Sequence, residues 1–305
     1  MVRLYIIRHG DPDYDTNREN GGTLTAHGRK EAEALAPFLR NHAKITHAYS
    51  SPLYRARLTA QLGLQQLDDF CTIEKFNENC GVEDWTRELS TWRAKGLFQK
   101  HRNNKEYAVW DFPPHVTRKR LNSIANGKTC ASSSATTIQN SNLWTEASPE
   151  HARYLEEYET VCKQGDDFLK RHGITKCEYS GCYKMSYEDS LNPLIRDAGI
   201  VIFCHCGFAM TWLSHLLGLP LPMVYSSFWL APSSVTTILF DEQPNHFLKL
   251  YTASDDSDDS DNYVYLTPRA LCVGGTNHLT AAGLKTQNTY YEEWKRPSGI
   301  KNNFW

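Results

Sequence analysis

The chain has 305 residues, 40% of them hydrophobic, and a net charge of −2 at pH 7. That length suits one large domain with a well-filled core. The charge balance argues against nucleic acid as a partner, and no apolar run is long enough to span a membrane.

The apolar run Leu4-Tyr5-Ile6-Ile7 predicts a short buried strand over residues 2–7, ending at Arg8-His9-Gly10. Open α/β sheets bind their ligands outside the carboxyl ends of the strands. At such a place a histidine can act as nucleophile and an arginine can hold a phosphate in bidentate fashion. A glycine there lets the backbone approach a ligand closely. Residues 11–23 read as a polar loop. Thr25 can cap a helix over 26–41, with Ala32, Leu35, Ala36 and Leu39 at helical spacing. Ile45–Ser50 reads as the next strand, and Pro52 marks the start of a helix over Leu53–Gln66. This alternation predicts an α/β fold, a mostly parallel central sheet flanked by helices on both faces.

Residues 82–150 break the pattern and read as an insertion. Trp85, Trp92, Trp110 and Trp144 are scattered through polar sequence, and the stretch from Arg87 to Arg120 is basic. Either the insertion is solvated and packs on the core through its tryptophans, or it is a cap whose charges help to choose an anionic substrate. The Ser/Thr/Asn-rich residues 126–142 read as a mobile loop. A helix is expected over 149–171, with Tyr154, Tyr158, Val161 and Phe168 on one face. Asp197–Cys204 is the strand that delivers His205. Ala209–Leu217 is the following helix, closed by Gly218 and Pro220. Ser234–Phe240 reads as a β-branched strand, with Phe247–Thr252 as its hairpin partner. The acidic run Asp255–Asp261 lacks the glycine and terminal glutamate of a calcium loop and reads as disordered. The aromatic tail from Tyr290 to Trp305 packs either on the core or on another copy in a homodimer, and the sequence leaves both open. The organisation expected is a single domain over 1–305, with an insertion at 82–150 and a C-terminal extension at 253–305.

Nine scattered cysteines suggest reduced thiols in a cytoplasmic protein rather than a disulfide framework. Cys204-His205-Cys206 and Cys177…Cys182 match no structural zinc spacing, and on a strand Cys204 and Cys206 point away from the face carrying His205. They read as buried thiols, with no metal.

Four segments now fall into a pattern. They are Arg8-His9-Gly10, the stretch Leu24-Thr25-Ala26-His27-Gly28-Arg29-Lys30-Glu31-Ala32, the stretch Ser51-Pro52-Leu53-Tyr54-Arg55-Ala56 continuing to Thr59-Ala60, and Cys204-His205-Cys206-Gly207 at the end of a strand. In this order they resemble the histidine phosphatase superfamily, or phosphoglycerate mutase-like proteins, over residues 1–80 and 195–240. The resemblance implies phosphoryl transfer through a phosphohistidine on His9, clamped by Arg8, Arg55 and a protonated His205. The family spacing selects Arg55 over Arg57. The family's general acid is a carboxylate shortly before a glycine, between the two histidines. Glu78, three residues ahead of Gly81, fits that place, and Glu83 is the alternative. Many members carry an asparagine six residues after the nucleophile. Here Asp15 stands there, and it must point away from a phosphate or pair with Arg18.

The function expected is a metal-independent phosphatase, without cofactor, acting on a small-molecule or protein phosphomonoester. The alternatives are a phosphoglycerate mutase-type transfer and a non-catalytic phospho-ligand binder. Mutases carry E..YG around the acid, where this chain has Glu78-Asn79-Cys80-Gly81. A site beginning at residue 8 leaves no room for a cleaved signal peptide. His115, His151 and His172 have no motif context.

Overall fold

The computed structural model describes residues 1–65, 81–89, 149–177, 182–243 and 262–286, with four residues more at 114–115 and 118–119. Glu78 lies outside the described residues. So do Trp92, Trp110, Trp144, residues 126–142, the expected strand Phe247–Thr252, the run Asp255–Asp261 and the tail from Tyr290.

In chain order the elements are β1 (Arg3–Arg8), β2 (Pro12–Asp13), β3 (Thr23–Leu24), α1 (Ala26–His42), β4 (His47–Ser50) and α2 (Tyr54–Leu64). There follow α3 (Pro149–Lys170), β5 (Thr175–Lys176), β6 (Tyr183–Ser186), α4 (Tyr187–Leu191), α5 (Pro193–Arg196) and β7 (Gly199–Cys204). The last are α6 (Cys206–Leu217), α7 (Leu221–Ser227), β8 (Val235–Gln243), β9 (Tyr263–Gly275) and α8 (Asn277–Ala281).

The chain divides into two compact units. One comprises residues 1–87, 163–205 and 230–287, and the other residues 88–162, 206–229 and 288–305. In the second unit, α6 and α7 are joined through Tyr225, whose hydroxyl donates to the Gly207 carbonyl at 3.0 Å.

The first unit is built on a seven-stranded sheet of order β4-β7-β1-β8-β9-β6-β5. The α/β class is as expected. The parallel part is β4-β7-β1, and from β8 outward every neighbouring pair is antiparallel. The sheet is therefore mixed rather than mostly parallel. The difference comes from β9, a strand inside the supposed C-terminal extension, which pairs with both β8 and β6. Pro268 and Arg269 in the middle of that strand hide it from a pattern search.

The β1 side chains are buried on both faces, which explains the unbroken apolar run Leu4–Ile7. Tyr5 and Ile7 join Val201, Phe203 and Val235 from the sheet with Leu35 and Leu39 of α1 and Ala60 and Leu64 of α2 in one core cluster. His172 is also a core residue. Its Nε2 meets the Tyr49 hydroxyl at 3.1 Å. Burial, helped by His47 and Arg171, lowers its pKa to about 4, so it sits there uncharged. Among the described residues no helix is long and apolar enough to cross a membrane.

Candidate active site

β1 and β7 run parallel with Arg8 opposite Cys204, so the residues that follow leave the sheet side by side. The His9 amide donates to the Cys204 carbonyl at 2.9 Å, and the rings of His9 and His205 are 5.2 Å apart. The neighbouring β4 delivers Ser50 and Ser51, whose amide donates to the Phe203 carbonyl at 2.8 Å. α2 begins there and carries Arg55 in its first turn. Three adjacent strand ends thus gather Arg8, His9, Arg55 and His205, none more than 4% exposed.

His9 Nδ1 lies 2.8 Å from the Gly10 carbonyl. Only an N–H can meet a carbonyl, so the proton is on Nδ1 and Nε2 keeps its lone pair. Burial, then the charges of Arg55 and Arg8, hold the His9 pKa well below the ordinary histidine value, outweighing the Gly10 bond. The ring is neutral, the form a nucleophile needs.

His205 is also neutral, contrary to the expected protonated donor. Arg55 Nη2 donates to His205 Nδ1 at 3.0 Å. A guanidinium only donates, so Nδ1 must accept, and Nε2–H donates to Ser51 Oγ at 2.8 Å. Burial, then the charges of Arg55, His9, Arg8 and Arg87, depress its pKa well below the ordinary value. Burial and three arginine charges disfavour a further positive charge on this ring before an anion arrives.

Both arginines of the clamp are held in place. Arg8 Nη1 donates to the Leu230 carbonyl at 2.7 Å. Arg55 Nη1 donates to the Gly21 carbonyl, and its guanidinium lies 5.2 Å from the Tyr14 ring. Asp15 pairs with Arg18 at 2.5 Å, both more than half exposed, which meets the condition its position imposed.

The motif around Thr25 acts on the backbone. Thr25 Oγ1 accepts from the Gly28 amide at 3.0 Å and donates to Asp11 Oδ2 at 2.7 Å. The fully buried Glu31 accepts from the Asp11 amide at 2.8 Å. Thr59 Oγ1 accepts from the Gly10 amide at 3.0 Å and donates to the Arg55 carbonyl at 2.8 Å. The α1 N-terminus presses directly on the Arg8–Asp11 turn. A Cβ at Gly28 would stand 2.2 Å from the Asp11 carbonyl oxygen, and one at Gly10 would stand 2.5 Å from the Gly28 oxygen. Neither contact can yield without moving backbone. Gly28→Ala should therefore destabilise the fold by about 1–3 kcal/mol and weaken inorganic phosphate binding. Urea titration and calorimetry measure the two, and an unchanged midpoint would contradict the close packing.

Ser51, Thr59, Asp11 and Glu31 were not singled out for roles in the sequence, although Ser51, Thr59 and Glu31 stand within the motif segments. Arg87 was read only as the start of the basic stretch, and its charge is felt at His205. The general acid is the open part. Glu83 has both oxygens engaged, Oε1 with Arg171 Nη2 and Oε2 with Trp85 Nε1, each at 2.8 Å.

Residues 4–117 match the family model of the histidine phosphatase superfamily (branch 1). The chain shares 35% identity over 65 residues with phosphoglycerate mutase-like protein 4 of Arabidopsis thaliana, covering 20% of this chain and 28% of that one. It shares 30% over 82 residues with probable phosphoglycerate mutase GpmB of Serratia proteamaculans, covering 26% and 36%. The chain thus spans 28% and 36% of the length of these two curated relatives. Among solved structures, a phosphoserine phosphatase from Entamoeba histolytica aligns with TM-score 0.44 at 18% identity, over 92% of this chain and all of that one. A phosphoglycerate mutase from Bacillus anthracis aligns with TM-score 0.46 at 16% identity, over 92% and 96%.

Proposed function

We propose that this chain is a phosphomonoesterase that works through a phosphohistidine on His9, without a metal. The observation that carries the proposal is the Nδ1–H bond to the Gly10 carbonyl, which keeps the Nε2 lone pair for phosphorus. Nε2 attacks, the P–O bond to the leaving group breaks, and water then cleaves the P–N bond. Arg8 and Arg55 stabilise the charge on the transferring group, as two fixed guanidinium groups can. The direct test is to trap the enzyme with radiolabelled p-nitrophenyl phosphate and quench it. An alkali-stable, acid-labile label on His9 is expected. Turnover with no label on any residue would point to direct attack by water.

His205 has a part in this scheme as a proton acceptor on binding. The arriving dianion reverses the sign of its surroundings, and the imidazole takes up a proton to become the third cationic donor. The resting ring is neutral at pH 7 because its pKa is depressed, so binding should consume a proton from solution. Calorimetry of inorganic phosphate binding, in buffers of different ionisation enthalpy, measures that proton count. Uptake of about one proton is expected, and its loss in His205→Gln. No uptake in the wild type would remove this role.

Glu78 is proposed as the donor to the leaving oxygen. Glu78→Gln should slow hydrolysis of an alkyl phosphate by about 10²–10⁴-fold and leave p-nitrophenyl phosphate, whose phenolate leaves unaided, little changed. Glu83→Gln serves as the comparison variant. If it shows the pattern in place of Glu78→Gln, the donor is Glu83.

A further inference from the structure

The carbonyl that sets the tautomer of His9 is itself held from behind. The Gly10 carbonyl, 2.8 Å from His9 Nδ1, and the Asp11 N–H are the two ends of one peptide group. That peptide is trans and planar, so its two ends point in opposite directions and fixing one fixes the other. The Asp11 N–H donates to Glu31 Oε2 at 2.8 Å. The line from imidazole to carboxylate is therefore unbroken. It runs from Nδ1–H to the carbonyl oxygen, across the peptide, and from the N–H to Oε2. None of His9, Asp11 and Glu31 is more than 5% exposed, so water hardly competes for either bond.

Glu31 is a firm post for this bond. It stands in the second turn of α1, next to Ala32 and one turn before Leu35, both fully buried. A carboxylate this deep is costly to keep unless its oxygens are met by polar groups. One oxygen meets the Asp11 amide. The other lies 3.2 Å from Nε2 of His27, one turn back on the same helix, and that nitrogen is 3.1 Å from the Lys285 carbonyl. A nitrogen that faces a carbonyl and a carboxylate carries its proton. The rest of Asp11 is tied to Thr25, whose amide donates to the Asp11 carbonyl at 2.9 Å and whose hydroxyl donates to Oδ2 at 2.7 Å. Neither of those bonds touches the Gly10–Asp11 peptide, as the bond to Glu31 does.

We infer that Glu31 is a positioning residue for the nucleophile: its carboxylate oxygen fixes the Gly10–Asp11 peptide, and the carbonyl of that peptide fixes the Nδ1–H tautomer and the aim of the His9 lone pair. This rests on the reading of His9 as nucleophile. When Nε2 gives its pair to phosphorus and the P–O bond to the leaving group breaks, the ring gains positive charge and keeps its Nδ1–H. That N–H then draws harder on the Gly10 carbonyl. A peptide already bonded at its N–H is the stronger acceptor, because hydrogen bonds in a chain polarise one another. A tilted peptide would take the carbonyl away from Nδ1 and let the proton settle on Nε2, where the lone pair is needed.

Two variants separate the hydrogen bond from the packing. Glu31→Gln keeps an oxygen that can accept from the Asp11 N–H. Glu31→Met fills a similar space without one. Should Met yield no folded protein, Glu31→Asp, which is one methylene too short to reach the amide, takes its place with the same expectations. Single-turnover release of p-nitrophenolate at saturating enzyme gives the rate constant for phosphorylating His9. That constant does not depend on the fraction of protein folded. Met is expected to lower it by about 10–100-fold with the half-saturating concentration changed less than about threefold, and Gln to stay within about threefold of wild type. The ring nitrogen shifts of His9, followed by NMR, should show the Nδ1–H tautomer in the wild type and in Gln, and a mixture with Nε2–H in Met. A wild-type rate in Met overturns the inference, and so does a rate in Gln as low as that in Met. A slow Met variant with a pure Nδ1–H ring also overturns it, since packing alone would then be at work. Absence of phospho-His9 in the wild-type protein would instead sink the nucleophile reading, and the inference with it.

Discussion

His9→Ala should reduce p-nitrophenyl phosphate hydrolysis by about 10⁴-fold or more, with EDTA present throughout. The expectation follows from the geometry rather than from the residue type alone. The ring is 1% exposed, its proton is committed to the Gly10 carbonyl, and two guanidinium groups lie close enough to hold it neutral. No other imidazole in the described site can replace it. His205 has Nδ1 engaged by Arg55 and Nε2 by Ser51. The variant should keep Arg8 and Arg55 anchored, since neither bond to Leu230 or Gly21 uses the His9 side chain. It should therefore still bind vanadate or inorganic phosphate, and that binding shows that the site is folded. Activity within about tenfold of wild type would place the nucleophile elsewhere. Loss of wild-type activity in EDTA would replace the metal-free scheme.

Arg55→Ala should cost about 10²–10³-fold in kcat/KM, and Arg55→Lys should restore little of it. The guanidinium works at two ends at once. Nη1 holds the Gly21 carbonyl, and with it the loop after the nucleophile, while Nη2 fixes the acceptor nitrogen of His205. An ammonium cannot span both. The substitution also has a signed electrostatic effect. The Arg55 charge is one cause of the depressed His205 pKa, so removing it should move that pKa upward. Burial is the larger cause and remains, so the value should stay below the ordinary one. A titration of the His205 ring followed by NMR would show the shift. A downward movement or none would mean that Arg55 does not govern this imidazole.

Much of this site could be read before any coordinates. The strand ending in Arg8-His9-Gly10 and the strand before His205 are apolar runs that stop at polar residues, and period and composition expose them. Thr25, Gly28 and Glu31 were visible as a pattern, but not as what they are, a cap, a backbone contact and an acceptor for an amide. The charge on His205 was not legible. It depends on how deeply the ring is buried and on which nitrogen faces Arg55, and neither is written in local sequence. β9 was lost because Pro268 and Arg269 interrupt its pattern, although it pairs on both sides.

The position of β1 between β7 and β8 also bears on how the protein is made. Once made, Arg3 must wait for Gly199 on one side and Leu239 on the other. At 5–20 residues per second that is a delay of about 10–45 s, during which the run Leu4–Ile7 has neither neighbour. An early pause or premature stop would release chains that carry His9 with no sheet to hold it, and an apolar segment open to aggregation. The Arg8-His9 dipeptide is made well before both strands that flank it.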